Sequence, residues 1–254
     1  MKKSSTYEFL FLMTAYESIV LSAARLTPLV ISGGVPPFSR VPKTIRIVFL
    51  VVLSALYALS ADNSHIFIDN ILISVFFELA IGCVFIFGLA IVYGAIDMVG
   101  KTLDVHVGLS AASMFNPFSG QSGTLLSSVL VTTSITLFVT LDIHIDLIKM
   151  IILSFKIVPL GGAEIYLDPN KFIGFMAITF ISAFMIFLPV FVALFLVDVA
   201  IGMISKTMPQ MNVYFVTLPL KILCGLFFVA AAVRTSGPGL IDISHQVTKF
   251  VEGL

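Results

Sequence analysis

At 254 residues the chain is long enough for one large domain or two small ones, and a hydrophobic content of 59% with mean hydropathy +1.12 excludes an ordinary water-soluble protein. Fourteen basic and fourteen acidic residues balance, so nothing favours nucleic acid or an anionic membrane surface as a partner. Trp is absent, which leaves interfacial aromatic anchoring to six Tyr.

Lys2-Lys3, the apolar run Phe9 to Met13 and Ser22-Ala23-Ala24 outline a signal peptide, yet Glu8 and Glu17 interrupt its hydrophobic region, so a retained first helix is expected. Helical hydrophobic segments follow at Tyr7 to Ile31, Thr44 to Ala61, Ile71 to Ile96, Gly123 to Leu141, Phe172 to Ile204 and Asn212 to Val233. A bilayer core of about 30 Å needs about 20 helical residues, so most qualify on length. They are poor spans otherwise. The first carries Glu8, Glu17 and Arg25, the third Glu78, and the last two Asp198 and Lys221, with Pro189 and Pro219 interrupting the helical bonding. A midspan charge facing lipid costs about 2.5 to 3.5 kcal/mol, so these side chains should face protein. Basic residues flank the first helix on both sides, so charge bias gives no orientation; the acidic loop Asp62 to Asp69 argues that it faces outward.

Between the third and fourth segments lies Lys101 to Gly123, small and polar but carrying Met114, Phe115 and Phe118. A run with Asn116-Pro117 and so many Gly, Ser and Ala is not expected to hold a helix across lipid, and must lie in water, line a cavity or pack inside protein. Large apolar side chains on such a segment suit something that fills a hole and can be moved out of it. The fourth segment presents Ser128, Thr132, Thr136 and Thr140 as a polar stripe, which either lines an aqueous path, packs against a neighbouring helix or bonds back to its own carbonyls. The fifth carries Phe180, Phe184, Phe187, Phe191 and Phe195, a packing stripe. Only a short connection, Ser205 to Met211, separates the fifth and sixth segments, which makes them an antiparallel hairpin. Asp198 lies eleven residues before Pro209 and Lys221 twelve after it, so the two charges reach similar depths; they either meet or each pair with a different subunit. Ser236-Gly237-Pro238-Gly239 is a firm stop before an amphipathic tail with Leu240, Ile243, Val247 and Phe250 on one face.

Motif chemistry is lacking. There is no phosphate-cradling GxxxxGK[ST], GxGxxG or HExxH; Ser119 to Gly123 lacks nucleophile-elbow spacing; and the two cysteines and four histidines are scattered. Neither an enzyme nor a metal or cofactor site is expected.

Several stretches together resemble the FliR family, the R subunit of the flagellar type III export gate, called SctT in injectisomes. They are Ala24-Arg25-Leu26 with Pro36-Pro37-Phe38, Arg40, Pro42 and Arg46; Gly108-Leu109-Ser110 with Phe115-Asn116-Pro117 and Ser119-Gly120-Gln121; Leu141 to His144 with Ser154-Phe155 and Pro159, more flagellar than injectisome-like; and Met208 to Asn212 with Pro219-Leu220-Lys221. The second is the most specific and looks like the family's plug segment; where the family often carries an acid, this chain has Asn116, which removes a charge-based role there.

The resemblance implies an all-α protein of membrane-associated helical hairpins, part of a hetero-oligomeric helical export gate in the bacterial inner membrane within the flagellar basal body, with much of the assembly above the bilayer plane. Residues 1–170 would be similar to the P subunit and include the plug at 101–123; residues 171–254 would be similar to the Q subunit. FliP and FliQ would be its partners and FlhB would sit at the entrance, while exported unfolded proteins pass through the centre and lipid surrounds the base. Gly108, Leu109, Met114, Phe115, Asn116, Pro117, Phe118, Gly120 and Gln121 would form the plug, sealing by packing and dewetting. Arg25, Arg40, Glu78, Asp198 and Lys221 would form polar and charged subunit interfaces. A small-solute secondary transporter or ion channel, using Glu78, Asp97, Asp198 or Lys221 as coupling groups, is the rival reading.

Overall fold

The structure is a computed structural model that describes residues 2–32, 35–36, 38–60, 70–109, 125–161, 169–207, 213–235 and 239, with side chains described from Tyr16 onward except at 59–60, 169 and 213–216. Among them lie seven α-helices and no strand: α1 (Lys2–Ile31), α2 (Lys43–Ser60), α3 (Ile71–Val107), α4 (Leu125–Thr140), α5 (Ile143–Ile157), α6 (Pro169–Thr207) and α7 (Val213–Thr235), with a short 3-10 turn at Phe38–Arg40. The fold is all-α, as composition and periodicity require. Three helical stretches are long and apolar enough to cross a membrane: Ile71–Val107, Asn170–Thr207 and Thr217–Thr235. At 16 residues α4 spans about 24 Å, short of a bilayer core.

Three expectations need correction. Residues 101–107 do not belong to an irregular segment, because α3 continues through them to Val107; Leu103 and Val107 are fully buried there, and helical bonding satisfies the backbone. Gly108 ends the helix at φ 90, a conformation that favours glycine, and its N–H donates to the carbonyls of Asp104 and Val105. Neither Pro189 nor Pro219 interrupts its helix; each sits inside a continuous one, at the loss of a single backbone bond. Finally, α5 has no counterpart among the six expected segments. It follows α4 almost at once, and the break is made by Asp142 at φ 57, a left-handed residue type that Asp tolerates better than most.

The contacts divide the chain into two compact units. The first takes the described residues of Met1–Ala90 and Asp142–Pro169, hence α1, α2, the start of α3 and α5; the second takes those of Ile91–Leu141 and Asn170–Val247, hence the end of α3, α4, nearly all of α6 and α7.

In the first unit the usual polarity of a helix is inverted. The buried stripe of α2 is Arg46, Leu50, Ser54 and Ala58, at intervals of four, while Ile45, Ile47, Val48, Phe49, Val51, Val52 and Leu56 lie exposed. On α1, Ser18, Ser22 and Arg25 are buried beside Leu21, Leu26 and Leu29, and the Ser22 hydroxyl donates to Ile19 O and reaches Ser54 O at 3.4 Å. Small hydroxyl residues at a helix contact let backbones approach where hydrophobic contrast between inside and outside is weak. Helix α3 approaches α1 just as closely at Gly82, where a Cβ would overlap the carbonyl oxygen of Arg25 and come within 2.9 Å of the Pro28 ring.

In the second unit the core is conventional. Its buried apolar residues include Val92, Ile96, Val99, Leu103 and Val107 of α3, Leu126 and Leu130 of α4, and Phe175, Ala183, Phe187, Val190 and Leu194 of α6, with Thr179 buried on the same α6 stripe. The outer face of α6 remains apolar and exposed at Ile173, Ile181, Met185, Leu188 and Leu196. Of the phenylalanine stripe, Phe187 is buried, Phe184 stacks on Phe191 at 5.9 Å, and Phe195 is exposed.

Gly82→Ala forces a methyl group against the α1 backbone and is expected to lower stability by about 1–3 kcal/mol, read from the thermal melting of the detergent-solubilised protein.

Candidate functional site

Two arrangements of charged side chains stand out, one in each unit. In the first unit Arg25 of α1 and Glu78 of α3, 53 residues apart, form a bidentate ion pair: Nε donates to Oε2 at 2.5 Å and Nη2 to Oε1 at 3.1 Å. Both side chains are about 1% exposed. Two charges removed from water are costly unless the remaining donors and acceptors are also satisfied. Here they are. Arg25 Nη2 donates to Val158 O at 3.0 Å, Nη1 reaches Ser154 Oγ at 3.4 Å, and Glu78 Oε1 accepts the N–H of Gly161 at 3.1 Å. The guanidinium carbon lies 4.4 Å from the centroid of the Phe155 ring, which stacks on Tyr57 at 3.9 Å. One ion pair thus ties α1, α3, α5 and the turn after α5, with Tyr57 of α2 covering it.

Arg25 and Glu78, which the sequence places at polar and charged interfaces, are each other's partner within this chain and are buried in it. Arg40 lies exposed in the 3-10 turn.

The second unit holds the segment on which the sequence places the plug. Gly108 and Leu109 form the turn that ends α3; Met114, Phe115, Asn116, Pro117, Phe118, Gly120 and Gln121 lie outside the described residues. Both ends of the segment are described, and the return end is held by α3. Asp104, fully buried, accepts the N–H of Leu126 through Oδ1 at 3.1 Å and that of Ser127 through Oδ2 at 3.2 Å. One carboxylate therefore satisfies two of the first unbonded N–H groups of α4, whose own first turn has no acid. Ser127 Oγ donates to Asp97, whose other oxygen pairs with Lys101 at 2.6 Å. At the departure end, a Cβ on Gly108 would lie 2.9 Å from Leu218 of α7.

Farther along, Lys221 of α7 meets Asp198 of α6 at 2.5 Å, so the alternative left open by the sequence resolves to pairing within the chain. Asp198 remains 41% exposed, which leaves one face of the pair available to a neighbour. The hydroxyl stripe of α4 also resolves: Ser128, Thr132, Thr136 and Thr140 each donate to a carbonyl three or four residues back on the same helix. Cys83 and Cys224 are free thiols, and among the described residues no three His, Cys, Asp or Glu side chains cluster as a metal site.

Sequence reasoning singled out Arg25, Glu78, Asp198 and Lys221 but did not join Arg25 to Glu78, and it missed the role of Asp104 and the helix α5. The signal for α5 was present: Ile143, Leu147, Met150, Ile151 and Phe155 are the buried face of an amphipathic helix, hidden among Asp146, Lys149 and Lys156.

The sequence profile of the family described as bacterial export proteins, family 1, matches residues 16–246. The chain belongs to this family. Among curated relatives of this export family it is 23% identical to the flagellar biosynthetic protein FliR of Escherichia coli (strain K12) over 222 residues, 86% of this chain and 83% of that protein. It is 33% identical to FliR of Bacillus subtilis (strain 168) over 132 residues, 50% of this chain and 51% of that protein, so that this match spans about half the length of each. It is also 24% identical to the surface presentation of antigens protein SpaR of Shigella flexneri over 202 residues, 80% of this chain and 77% of that protein. The match encloses Arg25, Glu78, Asp104, Asp198 and Lys221, so both ion pairs and the clamp lie inside the export-family region.

Glu78→Gln leaves the buried guanidinium without its counter-charge and is expected to cost about 3–5 kcal/mol, whereas Arg25→Met combined with Glu78→Leu should cost less than Glu78→Gln alone. Thermal melting of the detergent-solubilised parent and these two variants checks the ordering.

Proposed function

We propose that this chain is a core subunit of the flagellar type III protein export gate, forming and plugging the channel through which unfolded substrates cross the inner membrane. The observation that carries this reading is the export-family match over residues 16–246, with curated relatives named flagellar biosynthetic protein FliR. In this reading the partners are FliP, FliQ and FlhB, and the assembly sits in the basal body, much of it above the bilayer plane. Residues 1–170 act as the P-like part and 171–254 as the Q-like hairpin with its tail.

Segment 110–124, with the turn at Gly108 and Leu109 that leads into it, closes the channel. Its Met114, Phe115 and Phe118 supply the bulk that excludes water, and Gly108, Gly120 and Gly123 supply the backbone freedom to move. Such a plug must be held by a modest free energy, since an incoming polypeptide has to displace it. The apolar outer faces of α2 and α6 suit a chain surrounded by lipid and sister subunits. The small-solute transporter reading draws less support, because Glu78, Asp97, Asp198 and Lys221, the coupling groups it needs, are each already engaged by a partner within the chain.

Deleting Ser110 to Phe118 in the assembled gate is expected to raise its leak to small ions before export itself is lost, measured as single-channel conductance in planar bilayers. A deleted gate as tight as the parent removes the plug assignment.

A further inference from the structure

We propose that Arg46 and Ser32, at the junction of α1 and α2, form a binding site for the phosphate of an anionic phospholipid, whose acyl chains then run along the exposed apolar face of α2.

The first unit buries two guanidinium groups and treats them differently. Arg25 meets four oxygens: both of Glu78, Ser154 Oγ and Val158 O. Arg46 is also buried, at 6% exposure, yet among the described residues its side chain makes a single hydrogen bond, from Nη1 to Ile31 O at 3.2 Å, and no acidic side chain pairs with it. Its Nε is buried with no acceptor. The hydroxyl of Ser32, the residue after the carbonyl that Arg46 holds, is buried without a partner as well. Native interiors rarely leave a charged donor in that condition, because the loss of hydration is not recovered. Two orphaned polar groups beside one carbonyl mark a place for an oxygen-rich anion. The guanidinium supplies charge and a planar donor edge, and the hydroxyl supplies a further donor.

The surroundings select the source of that anion. Side chains on a helix lean toward its N-terminus, so Arg46, the fourth residue of α2, reaches back over the first turn. That turn contains no acid, and Lys43 stands exposed in it at the positive end of the helix dipole, where a cation alone is unfavourable. An anion held by Arg46 relieves both. One turn onward the surface changes character: Ile47, Val48, Val51 and Val52 form one exposed face of α2, and Ile31 is exposed where α1 ends. A free phosphate leaves that hydrocarbon bare, whereas a phospholipid covers it. The net charge of the chain is zero, so the attraction is local to this junction and directional, as in a basic notch between helices that takes a lipid headgroup.

The test uses the full chain purified in detergent and stripped of lipid, with dioleoylphosphatidylglycerol, dioleoylphosphatidylcholine and inorganic phosphate as separate additions. Native mass spectrometry reads bound lipid, and thermal melting reads its effect. Phosphatidylglycerol is expected to bind and to raise the melting temperature, and the other two to do neither to a comparable extent. Arg46→Gln should weaken that binding about tenfold or more, and Ser32→Ala about threefold. Arg46→Met, which removes a charge without a counter-ion, should melt no lower than the lipid-free parent while losing the rise with phosphatidylglycerol. A guanidinium that only caps α1 gives the reverse, lower melting with the lipid effect intact, and that result removes the site. Phosphatidylcholine or inorganic phosphate as effective as phosphatidylglycerol overturns the anionic lipid as occupant. If Arg46→Gln leaves lipid binding unchanged but releases a co-purifying chain, the missing anion is a partner's carboxylate and the lipid assignment falls. Should the Arg46 variants not fold, Ser32→Ala decides by the same binding measurement, an unchanged affinity sinking the proposal.

Discussion

A guanidinium and a carboxylate, both sealed from solvent, sit where α1, α3 and α5 converge, and the rest of the first unit is arranged to make that tolerable. Isolated, either charge would be prohibitive in a low-dielectric interior; together they still need partners for the donors and the acceptor capacity that the pair itself does not use. The turn after α5 supplies a carbonyl from Val158 and an N–H from Gly161, α5 supplies Ser154 and the face of Phe155, and Tyr57 closes the aromatic side. A hydrophobic contact would accept many nearby registers of these helices. A forked ion pair with directional bonds accepts one, because a shift of a single residue along α3 would swing the carboxylate away from its two donors. Specificity of assembly is thus bought with buried charge in a chain whose apolar surfaces are too uniform to supply it.

The same uniformity explains the inverted helices. Where both interior and surroundings are apolar, burial of hydrocarbon gives little direction, and small hydroxyl residues, glycine approaches and ion pairs decide which faces meet. Arg46 and Ser54 therefore point inward on α2 while its isoleucines and valines point out, and Gly82 allows α3 to lie against the backbone of α1. An exposed apolar helix face is a liability in water but an ordinary property of a chain with three helices long and apolar enough to cross a membrane among its described residues.

Much of this was legible in the residues. Hydrophobic runs located six of the seven helices among the described residues, and depth along the final hairpin put Asp198 and Lys221 at similar heights, because a short connection converts sequence distance directly into height; that they pair with each other came from the structure. Arg25 and Glu78 were visible as charges that could not face lipid, but nothing in a single sequence gives the pairing of positions 53 residues apart across a tertiary contact. Helix α5 was hidden because its polar half interrupts the apolar count, and because the turn before it rests on a left-handed Asp142 in place of the usual Gly or Pro. Asp104 was hidden for a related reason. The capping residue of α4 belongs to α3, more than twenty positions earlier, and no local capping pattern announces it.

The hydroxyl row along α4 has one more implication. Ser128, Thr132, Thr136 and Thr140 are exposed, yet each has already committed its only hydrogen to its own helix. The hydroxyl hydrogens are turned back toward the helix, and the threonine methyls add apolar bulk beside them. The row therefore adds polarity to the outside of α4 while its hydrogens serve the helix's own backbone, so a stripe that can be read as a conduit lining in the sequence is engaged in local bonding.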